Sequence, residues 1–258
     1  MIITNNLSPI LLELGPLTLH WYGIFFGTGL FLAYSYGAYL FKQKGYDQSH
    51  LESLVLYLFV GIVIGARLGH VLFYSPSYFL SHPIEILKIW NGGLASHGAT
   101  IGLFLSYYIW ARVYKVKFAK YPDTIAMVTP IAAIFIRIGN FFNSEIYGTF
   151  TNSNYGIIFA RIGDNLPRHP AQLYEAALNL IIFILFFYLN KKNANRKPLF
   201  YVFLYMLLYF GGRFFLEFWK DLHGLPDDFP LSTGQVLSLI PIVISVVYFL
   251  LLLKKDKK

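Results

Sequence analysis

At 258 residues, 56% hydrophobic, 19% aromatic and 13% charged, the chain is too apolar and too sparsely charged for a water-soluble domain of its length. It has no cysteine, which excludes disulfides, thiolate metal sites and a cysteine nucleophile of its own. The formal net charge of +8 needs no nucleic-acid partner if its basic residues lie in membrane-side loops, where anionic lipid is the expected neighbour.

A helix crosses a hydrocarbon core of about 30 Å with roughly 20 apolar residues. Seven runs of that kind follow one another: Leu17 to Phe41, Leu54 to Tyr74, Leu94 to Arg112, Tyr121 to Phe142, Ala171 to Leu189, Leu199 to Trp219, and Ser232 to Leu253. Met1 to Pro16 has neither a basic n-region nor a small-residue cleavage site, so the first span is expected to be retained. Basic residues mark the cytoplasmic side. Lys42 and Lys44, Arg112 to Lys120, Lys191 to Lys197, and Lys254 to Lys258 put fourteen of the 21 Lys and Arg on one face. The expected fold is therefore an all-α integral membrane protein of seven transmembrane helices, N-terminus outside and C-terminus cytoplasmic. Residues 1–258 read as a single transmembrane domain, with residues 143–169 as a small extracytoplasmic head. Within that head the alternating Tyr155 to Gly163 fits a short strand.

Three arginines stand within or at the outer ends of spans: Arg67, Arg137 and Arg213. A guanidinium costs about 2.5–3.5 kcal/mol at a helix centre on insertion scales, so each needs a partner or a watery cavity. A structural reading pairs Arg137 with Glu145, and Arg213 with Glu217 at the i+4 spacing that shares a helix face. It weighs most for Arg67. Three cations and two nearby acids leave positive charge over, which suits a lipid phosphate held by guanidinium forks. Asn140 follows Arg137 by three residues and Tyr209 precedes Arg213 by four, so each arginine has a neutral hydrogen-bonding neighbour on its face.

The segment from Asn91 to Gly102, NGGLASHGATIG, opens the third span and surrounds His97 with glycines that permit close approach of backbone or ligand. An imidazole there is a candidate base, with His70, His82 and His169 as competitors, whereas His20, His50 and His223 read as interfacial or loop residues. The histidines lack metal spacing. Trp21 and Tyr22 fit an interfacial aromatic belt, and Gln172 and Glu175 share a face one turn into the fifth span, which suggests polar lining. Spans two and four end alike, in RLGHVLF from Arg67 and RIGNFFN from Arg137, which reads as coincidence in a chain rich in glycine and aromatics.

The stretch RIGNFFNSEIYG from Arg137 resembles the signature of the prolipoprotein diacylglyceryl transferase family. HWYG, GARLGHVLFY, GGLASHGATIG, HPAQLYEA, GGRFFLEF and LSTGQVLS resemble its other blocks in the same order, from Tyr22 to Ser238. The departures are Ile136, where the family usually has glycine, and Gly98-Ala99, where it usually has Gly-Gly.

The resemblance implies transfer of the sn-1,2-diacylglyceryl group of phosphatidylglycerol to the thiol of a lipobox cysteine in a prolipoprotein. A thioether forms and glycerol 1-phosphate leaves. The implied setting is the bacterial plasma membrane, with the active site toward the extracytoplasmic leaflet, and no metal or cofactor is implied. By the same resemblance His97, Arg137 and Arg213 are catalytic, and Tyr22, Asn140, Glu145, Gly148, Tyr209 and Glu217 join the two arginines in substrate binding.

The alternative is a transporter or channel for a small organic anion, which predicts charges spread through the membrane depth. A metal-dependent headgroup transferase would need clustered aspartates, and Asp227-Asp228 is the one adjacent acidic pair.

Overall fold

The computed structural model describes residues 1–15, 17–89, 92–194, 196–221 and 230–255. Asn91, His223, Asp227, Asp228, Lys257 and Lys258, named above from sequence, lie outside the described residues. In chain order the elements are β1 (Ile2–Asn5), β2 (Ile10–Leu14), β3 (Leu17–His20), α1 (Trp21–Gln43), α2 (Gln48–Phe73), α3 (Pro76–Ser81), α4 (Ser96–Val113), α5 (Pro122–Phe142), β4 (Gly156–Phe159), α6 (Ala171–Lys192), α7 (Phe200–Leu216) and α8 (Thr233–Lys255). Single 3-10 turns follow at Pro83–Leu87, Ala160–Ile162 and Glu217–Trp219.

Among the described residues six helices are long and apolar enough to cross a membrane: α1, α2, α5, α6, α7 with its 3-10 extension, and α8. Their outward faces carry large apolar side chains such as Phe31, Leu56, Ile181, Val243 and Leu251, which suits lipid and not water. The expected third span is present as α4, at 18 residues, but it is not one of the six. Its sequence spends positions on Thr100, Ser106, Tyr107, Tyr108 and Arg112, which lowers its apolarity.

One expectation is corrected. The first span starts at Trp21 and not at Leu17, because Leu17–His20 pairs antiparallel with Ile10–Leu14. Gly15, at φ +58°, supplies the left-handed turn residue between those strands. The mostly helical fold carries a second strand pair: β1 pairs in parallel with β4, from Ile2 opposite Gly156 to Asn5 opposite Phe159. That strand lies inside the alternating stretch Tyr155 to Gly163.

The chain divides into two compact units, residues 1–37 with 122–258, and residues 38–121. In the first, α5, α6 and α7 pack together and α8 lies on α7, with Phe203 stacked on Tyr248 at 4.1 Å between ring centres. The Asp123 carboxylate in the first turn of α5 accepts from the backbone N–H groups of Leu199 and Tyr201 at 2.7 Å and of Val202 at 3.1 Å. It thereby satisfies donors that the start of α7 leaves unpaired. Asn5 ties β1 to the end of α5 by donating from Nδ2 to the Phe141 carbonyl at 3.1 Å.

In the second unit α2 and α4 run antiparallel at close range. A Cβ on Gly65 would stand 2.4 Å from the Gly98 carbonyl oxygen, and one on Gly102 would stand 2.0 Å from that of Gly61. Small residues at these positions let two backbones touch, the usual device for helix association where water supplies no driving force. The Asp47 carboxylate caps α2 by accepting from Ser49 N–H at 2.9 Å, so the helix starts well before the expected Leu54.

Candidate functional site

In the first unit, charged side chains gather where α5 ends, α6 begins and α7 ends. Arg137 on α5 meets Glu175 on α6, with Nε 2.6 Å from Oε2. It also donates from Nη1 to Asn140 Oδ1 at 3.2 Å, the i+3 neighbour expected on its face. The expected pairing of Arg137 with Glu145 is replaced by this one. Glu145 instead accepts from Asn140 Nδ2 at 3.4 Å and Asn143 Nδ2 at 3.0 Å, and its own carbonyl accepts from Gln172 at 2.6 Å. The chain turns away from α5 just before Glu145, with Ser144 at φ +54°, and the carboxylate that meets Arg137 comes from α6.

Glu175 is the hub. Its side chain is 1% exposed, and its second oxygen takes the Lys220 ammonium at 2.5 Å. Lys220 also reaches Glu217 at 3.7 Å, and Arg213 stands 3.9 Å from the same carboxylate, the i,i+4 pair read from sequence. All three cations, Arg137, Lys220 and Arg213, bear electrostatically on Glu175. Three carboxylates and three cations thus share one cluster, and a carboxylate this deeply buried persists as a charge because two cations bind it directly. The network continues inward on α6: Asn179 donates to the Glu175 carbonyl at 2.8 Å and accepts from the Tyr205 hydroxyl at 3.2 Å. Tyr205 in turn stacks on Tyr209, which is a hydrogen-bonding neighbour of Arg213.

Glycines set the surroundings. A Cβ on Gly139 would stand 2.9 Å from the Tyr22 ring, so the absence of a side chain there seats Tyr22 against α5, where Glu145 and Arg137 both act on its hydroxyl. A Cβ on Gly148 would stand 2.2 Å from the Trp219 carbonyl oxygen, and Gly148 bonds through N–H to the His169 carbonyl at 2.8 Å. Gly148 therefore clasps the segment that carries Lys220. A Cβ on Gly234, in the first turn of α8, would overlap the Glu217 carboxylate.

The two arginines differ from the lysine in access: the side chains are 16% exposed at Arg137 and 30% at Arg213, against 8% at Lys220. Arg137 and Arg213 are the cations that an arriving anion can reach. Sequence reasoning noticed Glu175 as polar lining and missed Lys220. The signal for the first is the spacing Gln172, Glu175, Asn179 on one face of an apolar helix, while Lys220 has no signal beyond its i+3 distance from Glu217.

Arg168 holds the segment before α6. It pairs with Asp164 and with Asp221 at 2.8 Å, donates to the Gly148 carbonyl at 3.2 Å, and lies 3.9 Å over the Phe150 ring. His169 beside it is buried, with Nδ1 3.1 Å from the Tyr174 hydroxyl, and desolvation lowers its pKa from the ordinary value of 6.5.

His97 and Arg67 belong to the second unit. His97 is exposed in the first turn of α4. The expected close approach of backbone is present at the glycines around it: Gly98 and Gly102 lie on Gly61, Gly65 and Gly69 of α2, and Gly93 abuts His70 and Arg67. Arg67 is buried and donates to the backbone carbonyls of Glu85, Ile86, Lys88, Gly92 and Gly93, at 2.5 to 3.4 Å. That is the structural role its sequence position suggested. His82 is exposed, with Nδ1 3.2 Å from the Tyr78 carbonyl.

A family model described as prolipoprotein diacylglyceryl transferase matches residues 9–251. The phosphatidylglycerol–prolipoprotein diacylglyceryl transferase of Tolumonas auensis is 43% identical over 98% of both chains. Proteins of the same name from Bacteroides fragilis and Cupriavidus metallidurans are 39% and 36% identical, over 99% and 96% of this chain and 96% and 94% of their own. With a match over nearly its whole length, and with Arg137, Asn140, Glu145 and Gly148 of the signature gathered with Arg213 and Glu217, the chain belongs to the prolipoprotein diacylglyceryl transferase family.

Proposed function

We propose that this chain transfers the sn-1,2-diacylglyceryl group from phosphatidylglycerol to the thiol of the lipobox cysteine in a prolipoprotein, forming a thioether and releasing glycerol 1-phosphate. The observation that carries this reading is the similarity to transferases of that name from residue 9 to residue 251. A new carbon–sulfur bond forms at the glyceryl carbon, the bond from that carbon to the phosphate oxygen breaks, and the departing phosphate takes the electron pair. The thiol proton must leave as sulfur attacks, since a thiol of pKa about 8.5 is mostly protonated at neutral pH.

His97 removes that proton. Arg137 and Arg213, the accessible cations, stabilise charge growing on the phosphate, and their hold is strengthened by low dielectric. Glu175, Glu145 and Glu217 keep the guanidinium groups in place, while Tyr22, Asn140 and Tyr209 orient headgroup and glycerol oxygens. Gly148 preserves the close approach on which Lys220 depends.

In this reading the chain is one transmembrane domain over residues 1–258, with seven spans, the N-terminus outside and residues 143–169 as the extracytoplasmic head. It resides in the bacterial plasma membrane with the site toward the extracytoplasmic leaflet. The transport alternative expects charges distributed through the depth, whereas Arg137, Glu175 and Arg213 lie near the ends of α5, α6 and α7.

The test uses purified protein in detergent with phosphatidylglycerol and a lipobox peptide, comparing glycerol phosphate release with cysteine and with serine at the acceptor position. Release that requires the cysteine supports the transferase. No release from folded protein across several anionic lipids rejects it.

A further inference from the structure

Three backbone segments of the first unit lie side by side above the charged cluster. Residues 148–151 run along residues 167–169: Gly148 N–H donates to the His169 carbonyl at 2.8 Å, and His169 N–H to that of Thr149 and Thr151 N–H to that of Pro167 at 2.9 Å. On their other edge Gly148 pairs antiparallel with Lys220, and Thr149 N–H donates to the Trp219 carbonyl at 3.0 Å. The middle segment thus separates the lead-in to α6 from the strap that leaves α7.

Arg168 spans all three. Its Nε and Nη2 bind the Asp164 carboxylate four residues earlier. The guanidinium passes 3.9 Å from the Phe150 ring centre and 4.7 Å from that of Tyr147, and Nη1 donates to the Gly148 carbonyl at 3.2 Å and to Asp221 on the strap at 2.8 Å. A planar fork has donors fixed in two directions, as this bridge requires, whereas an ammonium is a single point charge.

Asp221 follows Lys220, whose backbone is extended at φ −88° and ψ 145°. Neighbouring side chains on extended backbone point to opposite sides. Asp221 therefore meets Arg168 on one side of the strap, while on the other Lys220 meets Glu175 at 2.5 Å, and Glu175 meets Arg137 at 2.6 Å. A lysine gives up much rotamer freedom when it is buried, so a strap anchored from its far side favours the ammonium staying on Glu175.

We propose that Arg168, acting through Asp221, is a positioning residue for the transfer. It fixes the strap that carries Glu217 and Lys220, and with it the Glu175 carboxylate on which Arg137 is held. The proposal rests on the transferase reading of the site.

The two aspartates separate positioning from stability, because each gives Arg168 one carboxylate but only Asp221 lies on the strap. Full-length wild type, Asp164→Ala and Asp221→Ala are purified in detergent. Each is measured for unfolding midpoint, for glycerol phosphate release from phosphatidylglycerol with a lipobox peptide, and for acetylation of Lys220 by acetic anhydride, mapped by mass spectrometry. Both variants should lower the midpoint. Asp221→Ala should lower kcat per folded molecule about tenfold, part of the roughly 100-fold that a misplacement of about 1 Å can cost. It should also speed acetylation of Lys220 several-fold over wild type, in which that side chain is 8% exposed. Asp164→Ala should leave kcat and Lys220 acetylation near their wild-type values. Equal losses of kcat in the two variants, a loss confined to KM, or Lys220 acetylated at the wild-type rate in Asp221→Ala overturns the proposal. A wild-type protein that releases no glycerol phosphate rejects the transferase reading instead, and the acetylation comparison still decides whether the Arg168–Asp221 pair holds Lys220 in place.

Discussion

Arg67 and Arg137 begin nearly the same tetrapeptide, Arg-Leu-Gly-His in one unit and Arg-Ile-Gly-Asn in the other, near the C-terminal ends of α2 and α5. Arg67 spends its donors on the backbone carbonyls of Glu85, Ile86, Lys88, Gly92 and Gly93, so it works as a clamp on the segment that follows α3. Arg137 is engaged by one carboxylate through Nε and one amide through Nη1, and its side chain stays partly open. What separates the fully engaged arginine from the partly open one here is the number of donors left over, and local sequence does not encode it. The residue after the glycine contributes: Asn140 joins Arg137 to Glu145, whereas His70 lies against Gly93.

The largest expected effect is on turnover in the first unit. Arg137→Ala should lower glycerol phosphate release per folded molecule by about 100-fold or more, the usual cost of one donor to developing charge. The protein should still insert, because Glu175 retains Lys220. Near-normal release by this variant would remove Arg137 from the site. Arg67→Ala is the counterpart: turnover per folded molecule should stay near wild type while stability in detergent falls by about 3 kcal/mol, as a buried side chain is truncated and five partly buried carbonyls lose their donor. A folded but inactive Arg67→Ala protein would break the comparison.

A smaller effect sharpens the account of Glu175. Glu175→Gln leaves the buried Lys220 ammonium facing a neutral partner, which should cost about 3 kcal/mol of stability. Lys220→Met added to it removes the unpaired charge and should restore part of that loss, so that a double-mutant cycle on unfolding midpoints gives a coupling of about 1–3 kcal/mol. Additive losses would mean that Lys220 answers mainly to Glu217, 3.7 Å away.

Much of this was legible in the residues. Apolar run lengths located the six helices that qualify as spans, and the cost of an intramembrane guanidinium drew attention to Arg67, Arg137 and Arg213. What escaped has a common physical origin. Leu17–His20 is as apolar as the helix it precedes, and its pairing with Ile10–Leu14 depends on a turn at Gly15 that periodicity does not register. Arg137 was paired with its sequence neighbour Glu145 because helix packing, which supplies Glu175 from α6, is non-local. The glycines near His97 read equally well as room for a ligand or room for a helix, and the helix partner, the Gly61, Gly65 and Gly69 row opposite Gly98 and Gly102, is non-local.

The smallest expected effect is on the segment that leads into α6, through His169. Burial lowers its pKa below the ordinary 6.5, so between those two values the unfolded chain binds more protons than the folded one. Stability contributed by the neutral ring is therefore fully present above pH 6.5 and diminishes as pH falls toward the lowered value. Because the His169 carbonyl accepts from Gly148 N–H and its own N–H donates to the Thr149 carbonyl at 2.9 Å, the loosening should appear first there. Hydrogen exchange at Gly148 and His169 should accelerate between pH 7 and pH 5 beyond the intrinsic pH dependence, while amides of the Asp123-capped start of α7 keep their protection. His169→Gln, which cannot gain the proton, should remove that difference. A variant with the same acid-induced loosening would remove His169 as its cause.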